Sequence, residues 1–132
     1  MGLVALETIG VAFAMFSALP VPKIEWNERN MRYAMAAFPL IGAVIGALWC
    51  VCGILPLPEM AKAAGFCLIP VAVTGGIHLD GYADTSDALS SYGDREKKLD
   101  ILKDPHCGAF AVIRLCSYFV AYFALCACIR FT

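Results

Sequence analysis

Charged residues are scarce in this sequence: Asp, Glu, Lys and Arg make up 16% of its 132 residues, against 61% hydrophobic residues. Soluble domains average roughly 45–50% apolar and about 25% charged residues, so a water-facing surface would be hard to build from this composition. The net charge of −1 leaves no basic excess of the kind that nucleic-acid recognition uses, and no nucleic-acid partner is expected. A second Cys/His pair at zinc spacing, a Gly-x-x-x-x-Gly-Lys-Ser/Thr phosphate loop, internal repeats and low-complexity tracts are all missing. No basic region precedes Leu3, Glu7 interrupts the first apolar stretch, and Pro20-Val21-Pro22 follows it in place of a small-residue cleavage site. A cleaved signal peptide is therefore not expected. What remains is one membrane domain over residues 1–132.

The seven cysteines stand at positions 50, 52, 67, 107, 116, 126 and 128. All but Cys107 lie in apolar runs, where cysteine packs as a small hydrophobe, so they read as reduced and structural. Four apolar segments are present: Leu3 to Leu19, Tyr33 to Leu55, Met60 to Ile77 and Ala109 to Phe131. The second and fourth are the clearest membrane spans, since a span takes about 20 residues; the first is weakened by Glu7 and Thr8. Gly42 and Gly46 form a Gly-x-x-x-Gly pair that permits close approach of a neighbouring helix.

Basic residues alternate between connectors: Lys23, Arg29 and Arg32 lie in the first, Lys62 marks the second, and Arg95, Lys97, Lys98 and Lys103 lie in the third. By the positive-inside rule the first and third connectors face the cytoplasm. The third, about residues 79–108, is the only extended polar region. Asp94 is placed to cap a short helix over Arg95 to Lys103, and Pro105 opposes its continuation past Asp104. The expected fold is all-α: a polytopic transmembrane helix bundle with a cytoplasmic helical active-site loop.

Within that connector Asp80, Asp84 and Asp87 stand at offsets of four and three residues in the run His78-Leu79-Asp80-Gly81-Tyr82-Ala83-Asp84-Thr85-Ser86-Asp87. On a helix this spacing puts three carboxylates on one stripe, where they repel unless a cation joins them. Magnesium takes oxygen ligands and completes its shell with phosphates, so the stripe points to phosphoryl chemistry at a membrane edge. An EF-hand loop does not fit, because glycine follows the first Asp directly and Ser91 occupies the twelfth position. A solvated acidic helix face is the plain alternative. His78 is suited to proton transfer near neutral pH or to a structural role at the interface. Gly75, Gly76 and Gly81 either admit phosphate to backbone amides or break the helix.

The run from His78 to Asp87 resembles the His-x-Asp-Gly-x-x-Asp-x-x-Asp signature of the cobalamin synthase family, the adenosylcobinamide-GDP ribazoletransferases. Asp94-Arg95-Glu96 with Ile101-Leu102-Lys103-Asp104 resembles its downstream block; Leu19-Pro20-Val21-Pro22 and Phe38-Pro39-Leu40-Ile41-Gly42 resemble upstream elements. The chain is about half the family's usual length and is similar to its amino-terminal half. The resemblance implies a transferase that joins adenosylcobinamide-GDP to alpha-ribazole or its 5'-phosphate and releases GMP with Mg2+. It implies Asp80, Asp84, Asp87 and Asp104 as metal ligands, Arg95 and Lys103 as phosphate contacts, and His78, Asp84 and Lys103 as catalytic groups. It also implies an integral protein of a bacterial or archaeal cell membrane, in contact with lipid, and either a homo-oligomer or a complementing chain.

Three other readings stay open at this point. A CDP-alcohol phosphotransferase also clusters Asp on a helix, although its Asp-Gly-x-x-Ala-Arg element is absent. An ion-binding membrane subunit requires carboxylates at membrane depth, and an inactive remnant requires nothing of them.

Overall fold

The computed structural model describes residues 2–22 and 24–129. Lys23 of the first connector and Phe131, the end of the fourth apolar segment, lie outside the described residues. The regular secondary structure of the described residues is all helical: α1 (Gly2–Phe16), α2 (Glu28–Met31), α3 (Ala34–Ala37), α4 (Pro39–Ile54), α5 (Glu59–Thr74), α6 (Ile77–Ser90), α7 (Arg95–Ile101) and α8 (Ala109–Cys126).

Two helical stretches are long and apolar enough to cross a membrane, Ala34–Ile54 with 21 residues and Ala109–Cys126 with 18. They are the second and fourth expected spans. The first of them is jointed at Phe38, because Pro39 opens α4 and has no N–H to donate to the preceding turn. α1, at 15 residues, falls short of the roughly 20 that a perpendicular span needs. The third expected segment stops at Thr74, and α5 and α6 qualify as a span only as a pair bent by 92°. The chain is thus a helical membrane bundle.

Pro70 sits inside α5 and removes the N–H that would bond the Phe66 carbonyl four residues back. The indole of Trp49 on α4 takes that place, its Nε1 donating to Phe66 O at 3.1 Å. The proline's missing bond becomes a tie between two helices. Around it Cys52, Ala63, Phe66, Cys67 and Cys126 form a core across α4, α5 and the end of α8. A second core of Val11, Ala12, Ala34 and Ala37 joins α1 to α3.

All seven cysteines are free, in line with a reduced reading. Only Cys52, Cys67 and Cys126 are buried; Cys50 and Cys116 face outward from the apolar helices, and Cys128 is exposed in the turn after α8. Gly42 and Gly46 admit no close neighbour among the described residues: a Cβ at either would meet nothing within 4 Å.

Candidate active site

Two consecutive glycines create the site's frame. Gly75 and Gly76 adopt φ of 65° and 80°, the left-handed region that costs an L side chain roughly 1–2 kcal/mol per residue. They end α5, turn the chain and start α6 almost at right angles. A Cβ at Gly75 would come within 3.0 Å of Ala18 Cβ, beside the bond from Ala18 N to Val73 O at 2.9 Å. The segment after α1 therefore packs directly over the turn.

Beyond the turn α6 runs antiparallel to α8. Leu79 faces the middle of α8 in a cleft shared with Tyr118 and Phe119, the Tyr82 and Tyr118 rings lie 6.1 Å apart, and Asp87 meets the start of α8. The acidic stretch is helical, as its spacing implied. Its position differs from a loop beyond the membrane helices: the glycine turn folds it back along the first half of a spanning helix.

Asp87 is engaged at both oxygens. Gly108 N donates to one at 2.6 Å and Ala111 N to the other at 2.9 Å. The first N–H groups of a helix have no partner within it, and here a carboxylate from a different helix supplies one, matching the positive end of the helix dipole. A Cβ at residue 108 would lie 2.7 Å from both carboxylate oxygens, so glycine is what admits the clamp. Half-buried Asp87 joins α6 to α8 and defines the end of the span.

Asp80 is exposed and Asp84 half-buried, and neither carboxylate has a hydrogen-bond or ion-pair partner among the described residues. Asp80 lines a cleft of about 400 Å³ with Gly75, Gly76 and Cys107. Among the described residues no group of three or more His, Cys, Asp or Glu side chains stands close enough to share a metal, so the four expected ligands are not gathered as a set. Magnesium commonly uses one or two carboxylates and fills its shell with water and phosphate. The Asp80–Asp84 pair, one helical turn apart, fits that donor set; Asp87, already holding two N–H groups, does not.

Asp94 caps α7 as its position implied, accepting from Lys97 N at 3.0 Å. α7 ends at Ile101 rather than Lys103, and the following turn brings Asp104 to His106. Asp104 accepts from the His106 backbone N–H at 2.9 Å and pairs with its ring Nδ1 at 2.6 Å. These two hydrogen bonds, the backbone one foremost, hold the Asp104 carboxyl below the usual carboxylate range. A polar cleft of about 560 Å³ between α6, α7 and the start of α8 is lined by Asp87, Lys97, Asp104 and His106. Arg95 and Lys103 are exposed and do not line it. Lys97, likewise exposed, lines it, since it lies two residues further round α7 from Arg95.

His78, exposed in the first turn of α6, meets the Phe38 ring edge-on at 5.6 Å. It lines an apolar cleft of about 300 Å³ with Phe38, Tyr118, Phe119 and Tyr122. Those aromatics had read only as span residues; the i, i+4 spacing of Tyr118 and Tyr122 was the available sign that one face of α8 carries rings.

The chain matches the family described as cobalamin-5-phosphate synthase over residues 8–131. It belongs to that family. A relative from Lachnoclostridium phytofermentans, named adenosylcobinamide-GDP ribazoletransferase, is 49% identical over 124 residues, covering 91% of this chain and 48% of the relative. Relatives of the same name from Clostridium perfringens and Listeria monocytogenes are 43% and 38% identical, covering 89% and 91% of this chain and 49% and 50% of their own lengths. The chain thus spans about half the length of the curated relatives it matches. No solved structure matches it.

Proposed function

We propose that this family member carries the phosphate-handling half of a membrane transferase that joins adenosylcobinamide-GDP to alpha-ribazole or its 5'-phosphate and releases GMP. The observation that carries the reading is the unpartnered Asp80–Asp84 pair on α6, held beside α8 by the Asp87 clamp. A metal-dependent CDP-alcohol transferase and an ion-binding subunit lack the support that the relatives' names give here.

Asp80 and Asp84 would hold Mg2+, which supplies charge neutralisation for a pyrophosphate. The acceptor ribose oxygen forms a bond to the cobinamide-linked phosphorus. The bond from that phosphorus to the bridging oxygen breaks, and its electron pair leaves with GMP. His78 or a carboxylate that does not hold the metal takes the hydroxyl proton. Lys97 faces the polar cleft as a phosphate contact, while Arg95 and Lys103 lie outside it, placed for phosphate or lipid headgroups.

The test is Mg2+-dependent GMP release in detergent by this chain and by Asp84→Asn. Release that falls by about 100-fold or more in the variant supports the reading, the scale expected when a group stabilising transition-state charge is lost. Binding of Mg2+ and GDP that is unchanged in Asp84→Asn sinks the metal role. Substrate binding without release by the folded wild-type chain assigns the missing step to the half of the relatives' length that this chain does not span.

We further propose that α7 and its flanking turns face the cytoplasm of a bacterial cell, following the basic third connector. Cys107 is exposed in the α7–α8 turn. With Cys50, Cys116 and Cys128 replaced by alanine, a membrane-impermeant maleimide is expected to label Cys107 in inside-out vesicles and not in intact cells. Labelling in intact cells reverses the orientation.

A further inference from the structure

The short helix α7 sorts its side chains onto three faces. At about 100° per residue, Lys97 and Ile101 share the face that lines the polar cleft, while Glu96 and Asp100 share a second. The third carries Arg95, Lys98, Leu99 and Leu102, the last still in helical backbone as the C-cap. Arg95 is exposed, and so are the two leucines, by 45% and 42%. Neither Arg95 nor Lys98 has an ion-pair partner among the described residues. A helix that only faces water gains from opposite charges four residues apart and loses from like ones. Here the two acids stand four apart on their own face, and each base stands four before a leucine. The bases are kept with the leucines and away from the acids.

The start of α8 fixes where the polar boundary of the bilayer lies. Its first residues, Ala109 and Phe110, border the same cleft as Lys97 and Ile101, so α7 lies beside the end of a span. Arg114 is exposed on that span, with no ion-pair partner among the described residues. It stands five residues beyond Ala109, about 7.5 Å of helix rise. Side chains on a helix tilt toward its N-terminus, and an arginine near the end of a span extends its guanidinium to the headgroups. Arg114 therefore reaches back to the level of the first turn of α8, which is the level of α7.

A surface that is anionic at its headgroups and apolar just beneath them matches bases and leucines on one face, as in helices that lie in a membrane interface. A soluble anion would use Arg95 and Lys98 and leave the leucines in water. We propose that α7 is an interfacial helix that docks onto anionic phospholipid through Arg95, Lys98, Leu99 and Leu102, holding Lys97 over the polar cleft from the membrane side. This docking rests on α7 and the start of α8 and stands apart from the transferase reading.

The experiment places one spin label at a time on the full chain, at Glu96→Cys, Leu99→Cys, Asp100→Cys or Leu102→Cys, with the exposed Cys50, Cys107, Cys116 and Cys128 replaced by alanine. Each protein is reconstituted into vesicles of phosphatidylglycerol and phosphatidylcholine in equal parts, and collisions with oxygen and with an aqueous nickel chelate are measured by paramagnetic resonance. Labels at residues 99 and 102 are expected to favour oxygen, and those at 96 and 100 the chelate. In vesicles of phosphatidylcholine alone, and in Arg95→Gln with Lys98→Gln, the ratio of lipid-embedded to aqueous label at residue 99 is expected to fall by about tenfold or more, the scale of two basic residues at an anionic surface. Helix content is expected to stay unchanged. Labels at 99 and 102 that favour the chelate in the anionic vesicles overturn the docking. Labels shielded from both reagents overturn it too and assign the face to a protein contact. An oxygen preference that survives both the neutral vesicles and the glutamine variant overturns the requirement for anionic lipid.

Discussion

Asp87→Ala is expected to destabilise the chain in detergent by about 2–4 kcal/mol, because it removes a helix cap and two charge-assisted hydrogen bonds together. The bonds to Gly108 N and Ala111 N are the polar join between α6 and the first turn of α8. Without them the start of α8 loses its acceptor and the apolar contacts further along the pair hold less firmly. Asp87→Asn keeps one oxygen acceptor and loses the charge, so its cost is expected to be about half that of alanine. Gly108→Ala attacks the same contact from the other side, since its Cβ would sit 2.7 Å from the carboxylate oxygens. The double variant Asp87→Ala with Gly108→Ala is therefore expected to be less destabilised than the sum of the two, by 0.5 kcal/mol or more in a double-mutant cycle, roughly the scale of coupled neighbours.

This series also decides between two roles for Asp87. A carboxylate that caps α8 changes unfolding in the absence of metal. A metal ligand changes Mg2+ affinity and leaves metal-free stability nearly unaltered. Chemical unfolding in EDTA, followed by helix content, separates them: metal-free stability indifferent to Asp87→Ala would contradict the clamp and return Asp87 to the metal shell that the signature implied.

Local chemistry was legible in the sequence, and long-range chemistry was not. Asp94 could be read as an N-cap because its partner, Lys97 N, is three residues away, and the two full-length spans could be read from unbroken apolar runs. The carboxylate spacing correctly implied a helix. It could not show that Asp87 turns to a helix start 21 residues later while Asp80 and Asp84 have no partner among the described residues, since identical side chains at helical spacing look alike until the opposing helix is placed. The Trp49 indole that bonds the Phe66 carbonyl in place of the Pro70 N–H lies 17 residues upstream of Phe66 on another helix, beyond the reach of local pattern. The aromatic cleft was hidden for the same reason: its rings come from two apolar segments that composition could only class as membrane spans.

The position of the acids depends in turn on the glycine reversal. Gly75→Ala with Gly76→Ala is expected to cost about 2–4 kcal/mol, from two side chains forced into left-handed backbone at roughly 1–2 kcal/mol each. Alanine is also the best helix former, so the substitution favours a continuous helix from Glu59 to Ser90 over the 92° bend. A straightened helix carries Asp80, Asp84 and Asp87 away from α8, breaking the clamp and opening the cleft beside His78. The two outcomes separate by crosslinking. A short bifunctional reagent joins Tyr82→Cys to Tyr118→Cys in the native background, where those rings are 6.1 Å apart, with the exposed native cysteines replaced by alanine. In the glycine double variant that crosslink is expected to be lost while helix content is retained. Retained crosslinking with unchanged stability would show that α8 packing alone holds α6 in place, and that the glycines are a convenience of the turn rather than its cause.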